Sequence, residues 1–307
     1  MAIEWQKSLG ELAAMTKAVS AARILALSDL SHSDVGAFRE VWGGLLNERR
    51  RRIVDRMVEL AEDDVELSFD TVFLICLDDS DRVVRLKAIE GLAESSEPFF
   101  IEPLLRLLRY DSDTSVRAEA AVALGKFSML VELKKLRPSY GERLQVVLLD
   151  VLGDDNLPDE IRRRVVEAIA PMCNQRVTEL IEETYANQHL DMRTSALYAM
   201  GRNCDTRWIP VLVRELTSSS VEIRYEAATA LGELSDGDGV PYLAPLVRDD
   251  DAQVQEAAIT ALGKIGTNAA KLVLKAMAKE TDDRLRDVAL DALREAEAAD
   301  DLSIPYE

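Results

Sequence analysis

Aromatic residues, glycine, proline, histidine and cysteine are all scarce in this chain, and each scarcity removes a class of structure or chemistry. Aromatics make up 5% of the 307 residues while hydrophobic residues reach 48%. The core must therefore be built from Leu, Ala, Val and Ile, as closely spaced helices require. Gly and Pro number 14 and 9, too few for an all-β chain with a turn every ten residues or so. The two histidines, His32 and His189, are not followed by Glu and have neither Cys nor another His at i+3 or i+4. No zinc or other metal site is expected from them. The three cysteines, Cys76, Cys173 and Cys204, stand far apart without CxxC spacing. They read as small core residues of a reducing compartment. No apolar run approaches 18 residues and the N-terminus lacks a basic segment followed by an apolar one, so export and membrane spanning are not expected and a cytoplasmic location is. Positive charge is also short: 37 Lys and Arg against 56 Asp and Glu give −19. A general nucleic-acid or anionic-membrane binder is disfavoured by that sign.

What the chain does have is a repeat. A position held by Arg recurs at Arg85, Arg117, Arg162, Arg193, Arg224 and Arg286, with Gln255 standing in once, at steps of 32, 45, 31, 31, 31 and 31. One residue earlier the chain always has Val, Ile, Met or Leu. Three later comes Ala or Val, six later Ala or Gly, and seven later Leu, Ile or Met. Those offsets share one side of a 3.6-residue helix, giving an apolar stripe with small residues along its centre. Acidic or Ser-rich turns such as Asp79-Ser80-Asp81, Asp111-Ser112-Asp113 and Asp249-Asp250-Asp251 supply N-caps. Gly125, Gly201, Gly232 and Gly263 follow the stripe and are expected to end helices in the left-handed conformation. A second apolar position, Leu104, Leu212, Leu243 or Leu274, marks a partner helix. Each unit is thus a helical hairpin, and the predicted fold is an all-α solenoid, a superhelix of stacked hairpins.

The pattern D-x-x-V-R-x-x-A-x-x-A-L-G, nearly complete from Asp113 to Gly125, resembles the HEAT-like repeat first described in phycobilin lyases. The resemblance covers about residues 69 to 295. The stretch from Ser195 to Leu234 is also similar to bacterial HEAT-repeat proteins without an assigned activity. In such arrays the recurrent Arg pairs with an Asp of the same or adjacent turn, so Arg85, Arg117, Arg162, Arg193, Arg224 and Arg286 are expected to form a structural ladder. HEAT-repeat oxygenases of the deoxyhypusine hydroxylase type use several His-Glu pairs; none is present here.

Around the array, residues 1–33 are expected to form a helical segment packed on a cap, and residues 34–68 a degenerate capping repeat with helices at Val35 to Leu46 and Arg49 to Glu62. The 45-residue step implies an insertion near 127–140, a helical turn or two ended by Pro138. Residues 296–307 read as a disordered acidic tail, or as a short docking peptide carried by Leu302, Ile304 and Tyr306.

There is no G-x-S-x-G, P-loop or G-x-G-x-x-G motif, no catalytic residue or cofactor is assigned, and the chain is not expected to be an enzyme. Two basic clusters, Arg49 to Arg52 with Arg56, and Arg162 to Arg164 with Lys134, Lys135, Arg137 and Arg143, read as solvated faces and salt-bridge partners, or alternatively as a patch for an acidic partner. HEAT-like DNA glycosylases carry a basic concave surface; Asp205 and Trp208 are present here, but the net charge has the opposite sign. Offsets 1 and 5 from the Arg column should face out on the presumed concave side. There the least charged stretch holds Thr194, Tyr198, Tyr225 and Thr229, with Arg202, Arg207 and Trp208 nearby. These seven are the candidate partner-binding residues. The expected function is a non-enzymatic protein-binding scaffold or adaptor. A lyase- or chaperone-like factor for a tetrapyrrole-bearing protein is the alternative, and nucleic-acid processing a weaker third. The partner's identity and the oligomeric state are not written in the sequence.

Overall fold

A computed structural model describes residues 2–12, 20–31, 33–64, 66–203, 205–235, 237–279 and 283–302. Among these there is no strand, and no helix is long and apolar enough to cross a membrane. The chain divides into two compact units, residues 1–168 and 169–307.

The first unit opens with α1 (Ala2–Leu12), α2 (Ala21–Leu25), α3 (Val35–Gly43) and α4 (Asn47–Asp63). Trp5 of α1 meets Phe38 of α3, which stacks on Trp42. Then come the hairpins α5 (Asp70–Cys76) with α6 (Arg82–Gly91), α7 (Ile101–Tyr110) with α8 (Thr114–Glu132), and α9 (Pro138–Leu152) with α10 (Asp159–Ile169). The second unit holds α11 (Gln175–Tyr185) with α12 (Leu190–Arg202), α13 (Ile209–Glu215) with α14 (Val221–Leu234), α15 (Val240–Leu243) with α16 (Ala252–Ile265), and α17 (Asn268–Met277) with α18 (Asp283–Leu302). In the second unit α14 packs between α12 and α16, and α16 packs on α18. The partner-helix leucines Leu104, Leu212, Leu243 and Leu274 are all fully buried.

The glycines correct the sequence reading. Gly125, Gly201, Gly232 and Gly263 lie inside α8, α12, α14 and α16 and none has positive φ. Their role is contact: a Cβ added at Gly232 would lie 2.6 Å from Ala261 Cβ and 2.7 Å from its Cα, one at Gly201 2.8 Å from Ala230 Cα, and one at Gly263 2.8 Å from Ala292 Cβ. At Gly125 the nearest atom is Ala168 Cα, at 3.3 Å. Each glycine therefore meets the small residue at offset 6 of the following repeat, so two helix backbones touch where side chains would hold them apart. The left-handed helix end belongs instead to Gly266, with φ of 62° after α16.

The D-x-D turns divide the work between their two acids. The second acid caps the coming helix: Asp81 accepts from Val83 N, Asp113 from Ser115 and Val116 N, Asp251 from Gln253 and Val254 N. The first holds the turn by accepting from the backbone N–H two residues on, as Asp79, Asp111 and Asp249 all do, and it receives cations from the repeat before. Arg85 grips Asp111 through Nε and Nη2 at 2.7 and 2.8 Å, and Arg224 grips Asp249 at 2.9 and 2.8 Å.

The ladder of acid pairs is thus partial. Arg117 donates to Leu108 O, and Arg162 to Leu152 O and Asp154 O, closing their own hairpins on carbonyls. Arg193 reaches Glu215, and Arg286 pairs with Asp283 within α18. What recurs more widely is a bond back to the preceding turn: Arg85 to Asp79 O, Arg224 to Ser218 O, and Gln255 to Asp249 O. That bond needs a donor and no charge, which is why glutamine fits the column.

Three further expectations change. Pro138 starts α9 rather than ending a helix, because proline's missing N–H costs nothing at a first helical position; the inserted length goes into extending α8 and α9. Helix α18 runs through the acidic stretch to Leu302, so the boundary at 296 is displaced. Ala and Glu favour helix, and Ala296 is only 1% exposed, packed near Gly266. Ile304 and Tyr306 of the suggested docking peptide lie outside the described residues. Finally, Cys173 is exposed, and its thiol donates to Asn203 O at 3.1 Å; Cys76 is buried, and burial pushes its thiol well above the ordinary value. Cys204 and His32 lie outside the described residues, while His189 is exposed at the start of α12.

Arg224 holds the Asp249 carboxyl below its usual range, and Arg51 does the same for Asp81. A carboxylate with a lowered folded pKa adds stability that is fully present above the unfolded value, near 4, and is lost as pH falls through the folded value. Melting temperature is therefore expected to hold from neutral pH down to about 5 and to drop below about 4. Asp249→Asn should flatten that acid limb; a limb of unchanged steepness would remove Asp249 from the explanation.

Candidate functional site

Arg50, Arg51, Arg52 and Arg56 of the first basic cluster, and Arg143, Arg162 and Arg164 of the second, have partners within the scaffold. Arg49 and Arg50 are buried rather than solvated. Arg50 reaches Asn47 Oδ1, Ser80 Oγ and Asp79, while Trp42 donates to the other oxygen of Asp79 at 2.7 Å. Burial first, then Arg52 and Arg23, pull the Arg49 pKa down. Arg51 forks onto Asp81, Arg52 pairs with Glu48 and Arg56 with Glu59. In the other cluster Arg164 pairs with Glu167 and Arg143 forks onto Glu102.

The seven candidate residues all lie in the second unit, and the structure sorts them. Tyr198 and Tyr225 are 39% and 41% exposed, on the neighbouring helices α12 and α14, one turn apart in repeat register. Thr194 and Thr229 complete the same two positions. Their hydroxyls donate to Leu190 O and Tyr225 O of their own helices, which satisfies the polar atom locally. Arg202, half-buried, follows Tyr198 by four residues on α12. Thr194 and Tyr225 thus hold one outward repeat position and Tyr198 and Thr229 the next, with Arg202 a further turn along α12.

Trp208 and Arg207 leave the group. Trp208 is 3% exposed and donates Nε1–H to Asn203 Oδ1, while Asn203 Nδ2 donates to Ala170 O. An indole that can bury both its ring and its N–H partner is more stable inward, so Trp208 is part of the core. Arg207 pairs with Asp205 at 2.6 Å and lines a separate recess of about 340 Å³ with Cys173, Asn174 and Asn203. Ala118, expected to face out in the first unit, is buried; its counterpart Val122 is exposed.

Sequence reasoning missed two groupings. Tyr185, Glu215, Arg193 and Arg214 form a cluster in which the Tyr185 hydroxyl donates to Glu215 and accepts from Arg214 at 2.7 Å, with both guanidiniums over the ring. It stands where other repeats use the first acid of D-x-D; here that position is Ser218. The sequence signal was available, since the turn reads Ser218-Ser219-Ser220. A recess of about 500 Å³ in the first unit is lined by Phe69, Phe73, Glu62, Asp70, Glu90 and Glu94 among others; nothing in the repeat columns marks it. Among the described residues no group of three or more His, Cys, Asp or Glu is placed to hold a metal ion.

Comparison with known proteins bears on the fold. No curated protein sequence matches the chain. The complex of CpcE and CpcF of phycocyanin lyase from Nostoc sp. PCC7120 is similar at 18% identity over 76% of this chain and 92% of that one, with a TM-score of 0.52. The chain described with Kap95p bound to RanGDP is similar at 13% identity over 95% of this chain and 45% of that one, with a TM-score of 0.50. The profile of HEAT repeats matches residues 70–148 and 209–294, more than half of the sequence. Together with the all-helical hairpins and their 31-residue register, this makes the chain an α-solenoid protein that belongs to the HEAT-repeat family.

Proposed function

We propose that this protein is a non-catalytic scaffold or adaptor of the cytoplasm, binding a protein partner on the outward face of the second helices of its hairpins, with Tyr198 and Tyr225 at the centre. The observation that carries the reading is the pair of tyrosines, each about two-fifths exposed on adjacent helices whose buried sides are fixed by glycine and alanine contacts. Tyrosine gains large contact area for few frozen rotors, which is why it concentrates at the centres of interfaces. A rigid array separates the two tasks of the sequence: the stripe packs, and the opposite face is available for recognition.

The test is affinity capture from the native cell with wild type and with Tyr198→Ala plus Tyr225→Ala, each confirmed folded by circular dichroism. Captured partner is expected to fall at least tenfold in the double variant, about 1.4 kcal/mol or more in binding. Capture of the same partners at the same level would overturn the proposal. Mixing the protein with bilins checks the tetrapyrrole alternative, because a shifted visible band would favour it over the scaffold reading.

A further inference from the structure

From the charge pattern on the second helices we infer that the partner segment is a basic peptide, roughly ten residues long, lying across α12, α14, α16 and α18. This rests on the proposed binding face and specifies what it takes.

Two outward columns run across these four helices at repeat register. The first reads Thr194, Tyr225, Glu256, Asp287 and the second Tyr198, Thr229, Thr260, Asp291. In these two columns one end is uncharged and aromatic, with Arg202 half-buried one turn beyond Tyr198, and the other end is carboxylate. The threonine hydroxyls at 194 and 229 donate to their own backbone, so the two tyrosines supply most of what the aromatic end offers a partner. On α18, Asp283, Asp287, Asp291 and Glu295 follow one another at four-residue spacing, all exposed. Like charges at i,i+4 destabilise an isolated helix, so folding alone does not favour this row.

Cations do lie nearby. Arg286 reaches Asp283 and Asp287, Arg294 reaches Asp291, and Arg284 reaches Glu256. All are exposed or half-exposed pairs, which hold their partners weakly and exchange them easily. A peptide guanidinium or ammonium can take the carboxylates, and another can lie over Tyr198 or Tyr225, where the ring face attracts a cation. An acidic or uncharged segment gains neither contact. Stacked helices lie about 8–10 Å apart, so four of them span roughly 25–30 Å, and an extended strand rising about 3.3 Å per residue covers that in eight to ten residues.

The experiment is fluorescence anisotropy of the full chain with a labelled decapeptide of alternating Arg and Ala, and with a Glu/Ala decapeptide as counter-probe. The arginine peptide is expected to bind, to weaken several-fold between 50 and 300 mM salt as roughly three ion pairs are screened, and to weaken at least tenfold in Asp287→Asn plus Asp291→Asn and in Tyr198→Ala plus Tyr225→Ala. Glu182→Gln plus Glu183→Gln on α11 removes the same charge elsewhere and should leave affinity unchanged. Equal loss in that control, no loss in the face variants, or equal binding of the glutamate peptide would overturn the inference. If native partners are lost with the tyrosines while peptide affinity ignores Asp287 and Asp291, the scaffold reading stands and the basic-peptide inference falls.

Discussion

Gly232→Ala is expected to destabilise the protein by about 1–2 kcal/mol, even though the same change in an open helix stabilises. Alanine in a helix interior is worth up to about 1 kcal/mol over glycine. At Gly232, however, the new methyl would lie 2.6 and 2.7 Å from Ala261 Cβ and Cα, contacts that no rotamer relieves because one atom is backbone. Helices α14 and α16 would have to separate, and overpacking of this kind costs about 1–3 kcal/mol, occasionally more. The paired control is Gly10→Ala in α1, where an added Cβ meets nothing within 4 Å; there the melting temperature should hold or rise slightly. Thermal melts of the two variants side by side decide the matter. If Gly232→Ala matched Gly10→Ala, close backbone approach would not be what the glycine column supplies.

A second large effect is expected at the rung between α6 and the turn before α8. Asp111→Ala removes both acceptors of Arg85 Nε and Nη2 and the acceptor of Asp113 N–H. The two side chains are 11% and 5% exposed, so the guanidinium is left poorly hydrated and without its charge partner. Removing one member of a buried pair costs about 3–5 kcal/mol; the residual exposure places the expected loss near the lower end, about 3 kcal/mol. Asp111→Asn, which keeps an acceptor for the turn, should lose less. Urea unfolding followed by circular dichroism reads both, and an Asp111→Ala protein as stable as wild type would show that the rung contributes registration without stability. At the matching position of α12 the partner is Glu215 with Tyr185 instead of a D-x-D acid, so Ser218→Ala should have a small effect where Asp111→Ala has a large one.

These two sites show where reading the sequence stops. Gly232 and its fellows were visible as a column, and a glycine after an apolar stripe is reasonably taken for a helix end; only the neighbouring repeat, brought within contact distance, gives it a different role. Arg85 and Arg224 were visible as a column too, yet which carboxylate each takes depends on where the following turn comes to rest. Trp208 looked like an interface residue because tryptophan and arginine concentrate at interface centres and Arg207 stands beside it. Its partner is Asn203, whose own amide is tied to Ala170, a contact across more than thirty residues that no local pattern encodes.

The 31-residue period, the hairpins, the caps and the outward position of Tyr198 and Tyr225 followed from the sequence because helical periodicity assigns faces before any tertiary contact forms. Which small residues face backbone, which arginines bridge repeats, which basic residues are buried, and which residues stand together on a surface were decided only by the tertiary structure. Those depend on distances between segments remote in the chain, and periodicity within one helix carries no information about them.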